Sequence, residues 1–200
     1  MAVITIALVV CAGAIGLVAA AESAPVAQVR ATIDEASPVF ANNQLRPAEK
    51  DQQLRRIAEK HFDFGYMAKS AMGTHWKSLS TAQRKQFVPV LEGYVLATYL
   101  TTFQQNTVEA ASNALKDDVK YDDPETAAVH SEVHLRMVQD PLQVAYMLHH
   151  TGGKWKLYDI VVDNVSTLGN YRDEFNKIMN RDGYDKLVAG LKSKHLPAAR

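Results

Sequence analysis

The chain predicts an α+β fold in which N-terminal and C-terminal helices pack on a four-stranded antiparallel curved sheet. Three observations predict it. Apolar residues recur at three- and four-residue spacing from Pro25 to Phe103, alternate from Lys116 to Val162, and then return to helical spacing. The turns inside the alternating stretch are only a few residues long, which suits antiparallel hairpins because parallel strands need crossovers of about a dozen residues. The composition is globular: 200 residues, 47% apolar, 22% charged, with 22 basic against 22 acidic side chains. Zero formal charge leaves no long-range field to gather nucleic acid, and 7 Pro and 10 Gly exclude collagen-like and disordered chains.

Taken in order, Val26, Val29, Ile33 and Ala36 define a first helix from Pro25 to Ser37, where Pro38 disfavours continuation. Pro47 suits the first turn of a second helix carrying Leu54, Ile57 and Ala58. Asp63 caps a third, with Phe64, Met67, Ala68 and Ala71 inward and Gly73 at its end. Ser80-Thr81-Ala82-Gln83 has the form of a capping box and opens a long helix. Its stripe is Phe87, Val90, Leu91, Tyr94, Val95, Thr98 and Tyr99, and Pro89 inside it removes the bond to the Lys85 carbonyl, predicting a kink.

Lys116 to Tyr121 forms the first strand, and Asp122-Asp123-Pro124-Glu125 turns the chain into a second from Ala127 to Val138. There Val129, Ser131, Val133, Leu135 and Met137 share one face, opposite His130, Glu132, His134 and Arg136. Asp140-Pro141 leads to a third strand, Leu142 to His150, and Thr151-Gly152-Gly153 to a fourth, Lys154 to Val162. By strict alternation Trp155, Leu157 and Val161 face one side and Tyr158, Ile160 and Val162 the other, so both should be covered. Tyr171, Phe175, Ile178 and Met179 stripe a following helix, and Tyr184, Leu187, Val188 and Leu191 a last one.

The apolar residues are front-loaded, since 18 of the first 21 are apolar and none is charged. Val3 to Val18 fits the apolar region of a secretory signal, and Ala19-Ala20-Ala21 supplies small residues for cleavage, which divides the chain into a signal peptide, 1–21, and one domain, 22–200. An uncleaved anchor is the alternative, because about 20 apolar residues can span a bilayer. The customary Lys or Arg at the start of a signal is missing, so the start codon is open to question. Cys11 is the only cysteine and falls within the leader, leaving the mature chain without disulfides, which suits a periplasmic domain held by its core.

No G-x-S-x-G, H-E-x-x-H, P-loop or G-x-G-x-x-G is present. His130 and His134, four apart on a strand, stand about 13 Å from each other, too far to share one zinc. His149 and His150 point opposite ways and read as a hairpin edge. Asp117-Asp118 and Asp122-Asp123 lack the spacing of a calcium loop and read as solvated. Asp159 sits among apolar neighbours and is either a base of raised pKa, as in small cone-shaped isomerases, or an acceptor for backbone amides or an arginine; the structural role is favoured, because no second acid accompanies it.

Two blocks carry a likeness. Met72-Gly73-x-x-Trp76-Lys77, Ser80-x-x-Gln83-Arg84-x-x-Phe87 and Tyr99 make the first. Trp155-Lys156-Leu157-Tyr158-Asp159-Ile160, Asp163-Asn164-Val165-Ser166 and Asn170-Tyr171-Arg172-x-x-Phe175 make the second. Their order and spacing resemble the MlaC-type periplasmic phospholipid-binding proteins, also known as the toluene-tolerance or organic-solvent-resistance auxiliary family, with a hopanoid-associated branch. The resemblance implies an NTF2-like cone with an apolar cavity, no enzymatic activity, and no cofactor beyond a bound phospholipid or related lipid. It implies a monomeric carrier between an outer-membrane lipoprotein or porin complex and an inner-membrane MCE-domain ABC transporter. The lining expected for the lipid is Met72, Phe87, Leu91, Tyr94, Val95 and Tyr99 from the helices, and Val133, Leu135, Met137, Tyr146, Leu148, Trp155 and Leu157 from the sheet. Val165, Tyr171 and Phe175 from the second block complete it. Tyr171 and Arg172 have a rival role as fold determinants, with Arg172 paired to Asp159. The four strand histidines are not family signatures, which leaves a hopanoid or other polycyclic cargo open beside a diacyl lipid, and an isomerase using Asp159 as a further alternative.

Overall fold

A computed structural model describes residues 23–105, 115–123, 125–133 and 140–193. Among them the order is α1 (Ala24–Ala41), α2 (Pro47–His61), α3 (Phe64–Met72), a 3₁₀ segment (Gly73–Ser78), α4 (Thr81–Gln105), β1 (Leu115–Asp123), β2 (Thr126–Val133), β3 (Leu142–Thr151), β4 (Lys154–Val162), β5 (Val165–Ser166), α5 (Thr167–Arg181) and α6 (Gly183–Ser193). The sheet is an antiparallel meander in the order β1-β2-β3-β4-β5.

Helix starts follow local chemistry. Asp63 accepts the Tyr66 amide at 2.8 Å and caps α3. The capping box of α4 is formed on both sides, with the Gln83 amide on Ser80 Oγ at 3.2 Å and the Ser80 amide on Gln83 Oε1 at 2.9 Å. Gly73 ends α3 at φ 51°, ψ −125°, a conformation that essentially only glycine adopts. Pro38 does not end α1: the helix runs one turn further, to Ala41, and Asn42 donates to the Pro38 carbonyl. So close to the C-terminus a proline forfeits a single bond, that to the Asp34 carbonyl.

Two features of the sheet depart from the sequence reading. The register passes from Met147 opposite Asp159 to Leu148 opposite Leu157, so Tyr158 is an extra residue in β4. This bulge shifts the parity of the strand. Trp155, Leu157, Ile160 and Val162 therefore pack on one side, while Tyr158 turns to the other; the expected split of Tyr158, Ile160 and Val162 from Trp155 and Leu157 is overturned. The second departure is a fifth strand where four were expected. Asp163 and Asn164 adopt φ 48° and 65°, the left-handed pair of a tight hairpin, and return the chain so that Val161 and Val162 pair with Ser166 and Val165.

The apolar side chains form two packed clusters. In one, Val26, Val29 and Ile33 of α1 cover Val129, Val144, Tyr146, Leu148 and Leu157 of the sheet. In the other, α3, α4, α5 and α6 pack on one another through Met67, Met72, Phe87, Leu91, Val95, Tyr171, Phe175, Ile178 and Leu187. Phe62, at the junction of α2 and α3, packs against both. It forms a parallel bridge with Leu157, whose carbonyl accepts the Asp63 amide at 2.8 Å.

Candidate functional site

Where α3, α4 and α5 meet the bulged strand β4, a crevice opens among Phe62, Met67, Val95, Tyr158, Asp159, Ile160, Thr167, Leu168 and Tyr171. It holds about 230 Å³ of free space, part of it open to solvent. Its enclosed volume is only about 10 Å³, far below the range of about 300–1,000 Å³ typical of ligand pockets. Its position follows from the bulge, because the extra residue brings Tyr158 and Asp159 together on the side of the helices. There Tyr158 meets Tyr66 edge-on at 4.8 Å. Tyr66 in turn stacks on His149 at 4.0 Å, and His149 Nδ1 lies 3.3 Å from Asp63 Oδ2. His149 thus links the hairpin to the N-terminus of α3.

Asp159 is the one carboxylate at the crevice and is 7% exposed. Oδ1 accepts the Ile160 amide at 2.8 Å and the Leu168 amide at 3.0 Å, and Oδ2 accepts the Ser166 hydroxyl at 2.5 Å. Ser166 Oγ accepts the Gly169 amide at 2.7 Å. The carboxylate therefore secures the start of α5 to β4 through the Leu168 amide and the Ser166 hydroxyl. Burial pushes its pKa up, while the Ser166, Leu168 and Ile160 bonds pull it back. Every bond is structural, and Arg172 takes no part: it is exposed on α5, its aliphatic stem beside Gly73. The expected Arg172–Asp159 pair is replaced by bonds within the β4–α5 connection.

The residues expected to line a cavity fall in several places. Met72, Phe87, Leu91, Tyr94, Val95, Tyr171 and Phe175 belong to the helical cluster, and Tyr146, Leu148, Trp155 and Leu157 to the sheet cluster under α1. Val165 is 56% exposed in the short strand β5. Tyr99 lies on α4 and Val133 on β2, with side chains outside the described residues, as are His134, Leu135 and Met137 altogether. Of the whole set, Val95 and Tyr171 line the crevice. The lining also draws on Phe62, Met67, Tyr158, Ile160, Thr167 and Leu168, which sequence reasoning did not place there. A bulge is not signalled by composition, and Phe62 and Thr167 sit at element ends where periodicity says nothing. Among the described residues no three His, Asp or Glu side chains converge as a metal site.

Asp159 is held by structural donors beside an apolar crevice. Comparison with known proteins agrees in fold. The structure superposes on that of a phospholipid-binding protein from Ralstonia solanacearum, solved in complex with a phospholipid, with a TM-score of 0.71 and 22% identity, covering 86% of this chain and 97% of that one. An intermembrane phospholipid transport system binding protein, MlaC of Haemophilus influenzae, is 21% identical over 185 residues, covering 86% of this chain and 83% of the relative. The MlaC protein family model matches residues 30–193, and the chain belongs to the MlaC family.

Proposed function

We propose that the protein is a periplasmic carrier that holds a phospholipid by its acyl chains in an enlarged form of the crevice between β4 and helices α3 to α5. The observation that carries this reading is the crevice itself: an apolar-lined opening beside the bulged strand, in a chain of the MlaC family. Each methylene withdrawn from water contributes about 0.8 kcal/mol, so two acyl chains supply ample affinity without any chemistry. A diacyl lipid needs far more room than the enclosed volume of about 10 Å³, so loading requires the helices to part from β4. Release then depends on partners that favour one of the two forms. The partners proposed are an inner-membrane MCE-domain ABC transporter and an outer-membrane lipoprotein or porin complex, with export directed by the apolar leader 1–21.

Lipid extraction and mass spectrometry of the protein purified from the periplasm tests the reading. Co-purified diacyl phospholipid in near-stoichiometric amount is expected. A hopanoid would reassign the cargo, and absence of lipid together with no uptake from vesicles would overturn the proposal. Val95→Trp, which fills the crevice, should cost about 1–3 kcal/mol of stability and sharply lower lipid content.

A further inference from the structure

Formal neutrality conceals a segregation of charge. Residues 64–91 contain no Asp or Glu in 28 positions but carry Lys69, Lys77, Arg84 and Lys85, with His75 among them. The fold gathers these cations around the 3₁₀ segment. Lys69 is exposed at the end of α3, where its carbonyl accepts the Gly73 amide. Arg172 of α5 lays its stem beside Gly73, and its Cγ and Cδ would be 3.7 Å from a Cβ built there. Arg84 is held in place, its Nε on the Trp76 carbonyl at 3.0 Å, its Nη2 on the Lys77 carbonyl at 3.1 Å, and its guanidinium 5.5 Å from the centre of the Trp76 ring. Lys77, Lys85 and Arg172 are exposed around it.

Asp173 and Glu174 follow Arg172 on α5, but the densest group of acids lies elsewhere. Residues 115–133, the β1–β2 hairpin, contain six acidic and two basic side chains. Helix α3 spans the two regions: Asp63, Asp123 and Glu125 act on Tyr66 near its start, and Lys69 stands at its end. From Asp63 to Lys69 the helix rises about 9 Å over six residues, about one Debye length at physiological salt. The two charge regions therefore present separate fields. The cations share helices with the crevice but lie on other faces: Lys69 is exposed two residues from the buried Met67, and Arg172 is exposed one residue after the buried Tyr171.

We infer that the face formed by Lys69, Lys77, Arg84, Lys85 and Arg172 docks the protein reversibly on an anionic phospholipid surface. A cluster of four to eight Lys and Arg is the electrostatic footprint that anionic bilayers attract. Protein interfaces are instead depleted in lysine and built around apolar anchors, whereas three of these five cations are lysines and Val165, on β5, is the large apolar side chain exposed among the described residues. Without an apolar wedge, attachment is shallow and reversible, and salt weakens it.

Vesicle flotation tests this on the mature chain. Vesicles containing phosphatidylglycerol should bind the protein at low salt, and pure phosphatidylcholine vesicles should not. Each Lys or Arg near the surface is worth about five-fold in partition, so Lys69→Gln with Lys77→Gln should lower binding about 25-fold. Arg56→Gln with Lys154→Gln removes the same net charge from exposed positions on α2 and the β3–β4 hairpin and should bind as the native chain does. Equal losses in both double variants overturn the proposal, since net charge rather than the face would then decide. So does native protein that fails to float with anionic vesicles, a result that leaves the face to a carboxylate-rich protein. Flotation reads attachment and lipid content reads carriage, so either can fail without the other.

Discussion

Removing the Asp159 carboxylate separates a structural role from a chemical one. In Asp159→Ala the Ile160 and Leu168 amides and the Ser166 hydroxyl lose their acceptor at once. Hydrogen bonds to a charged group contribute about 1.5–3 kcal/mol each. Against this, the variant no longer desolvates a buried carboxylate, which costs several kcal/mol. The balance is a loss of about 3 kcal/mol, or a Tm lower by about 6–12 °C for a domain of this size. Asp159→Asn keeps Oδ1 for the two amides but offers the Ser166 hydroxyl a donor instead of an acceptor, so about half the loss is expected. Urea denaturation measures both, through a shift of midpoint at constant m-value. A fully stable Asp159→Ala protein would refute the anchoring role. Loss of lipid from such a stable variant would move the carboxylate from the frame of the site to its function.

Phe175 is fully buried, edge-on to Phe87 at 6.0 Å and stacked on Tyr171 at 5.7 Å, so Phe175→Ala should cost about 3–5 kcal/mol in the same denaturation assay. Gly73→Ala should cost about 1–3 kcal/mol through backbone conformation alone, because its Cβ would find only ordinary contact with Arg172; a neutral result would refute that assignment. Burial, then the neighbouring Glu59 carboxylate, raises the Glu92 pKa, with Arg55 opposing. A carboxyl raised on folding stabilises below its unfolded value of about 4.3 and loses that contribution as pH rises through the folded value. Glu59→Gln should therefore lose less stability than the native protein between about pH 4 and neutrality, read as urea midpoints across that range.

Legibility of the fold tracked how local its causes were. Asp63, Ser80 with Gln83, and Gly73 act on backbone within four residues, and each marks the helix boundary the sequence indicated. Pro38 misled because its effect depends on how much helix remains beyond it, which periodicity does not report. Asp163 and Asn164 were visible as part of a signature, yet their tolerance of left-handed backbone was the physical clue to a hairpin and a fifth strand. The site was harder. A list drawn from helix stripes and strand faces gathers the most buried residues, and those fill two separate clusters. The crevice arises where the clusters fail to merge, at Phe62, Tyr158 and Leu168, through a bulge that depends on the pairing of β3 with β4.

Phe62 touches both clusters, and its neighbour Asp63 is bonded to Leu157 between them. Such a joint limits cooperativity: amides under α1 and amides in the bundle of α3 to α6 are protected by different packing, joined along this seam and at the bonds of Asp159 to the start of α5. Native-state hydrogen exchange should resolve them as two protection classes. An opening along the seam leaves the interior of each cluster intact, so the molecule can widen beside β4 at a fraction of its global unfolding free energy.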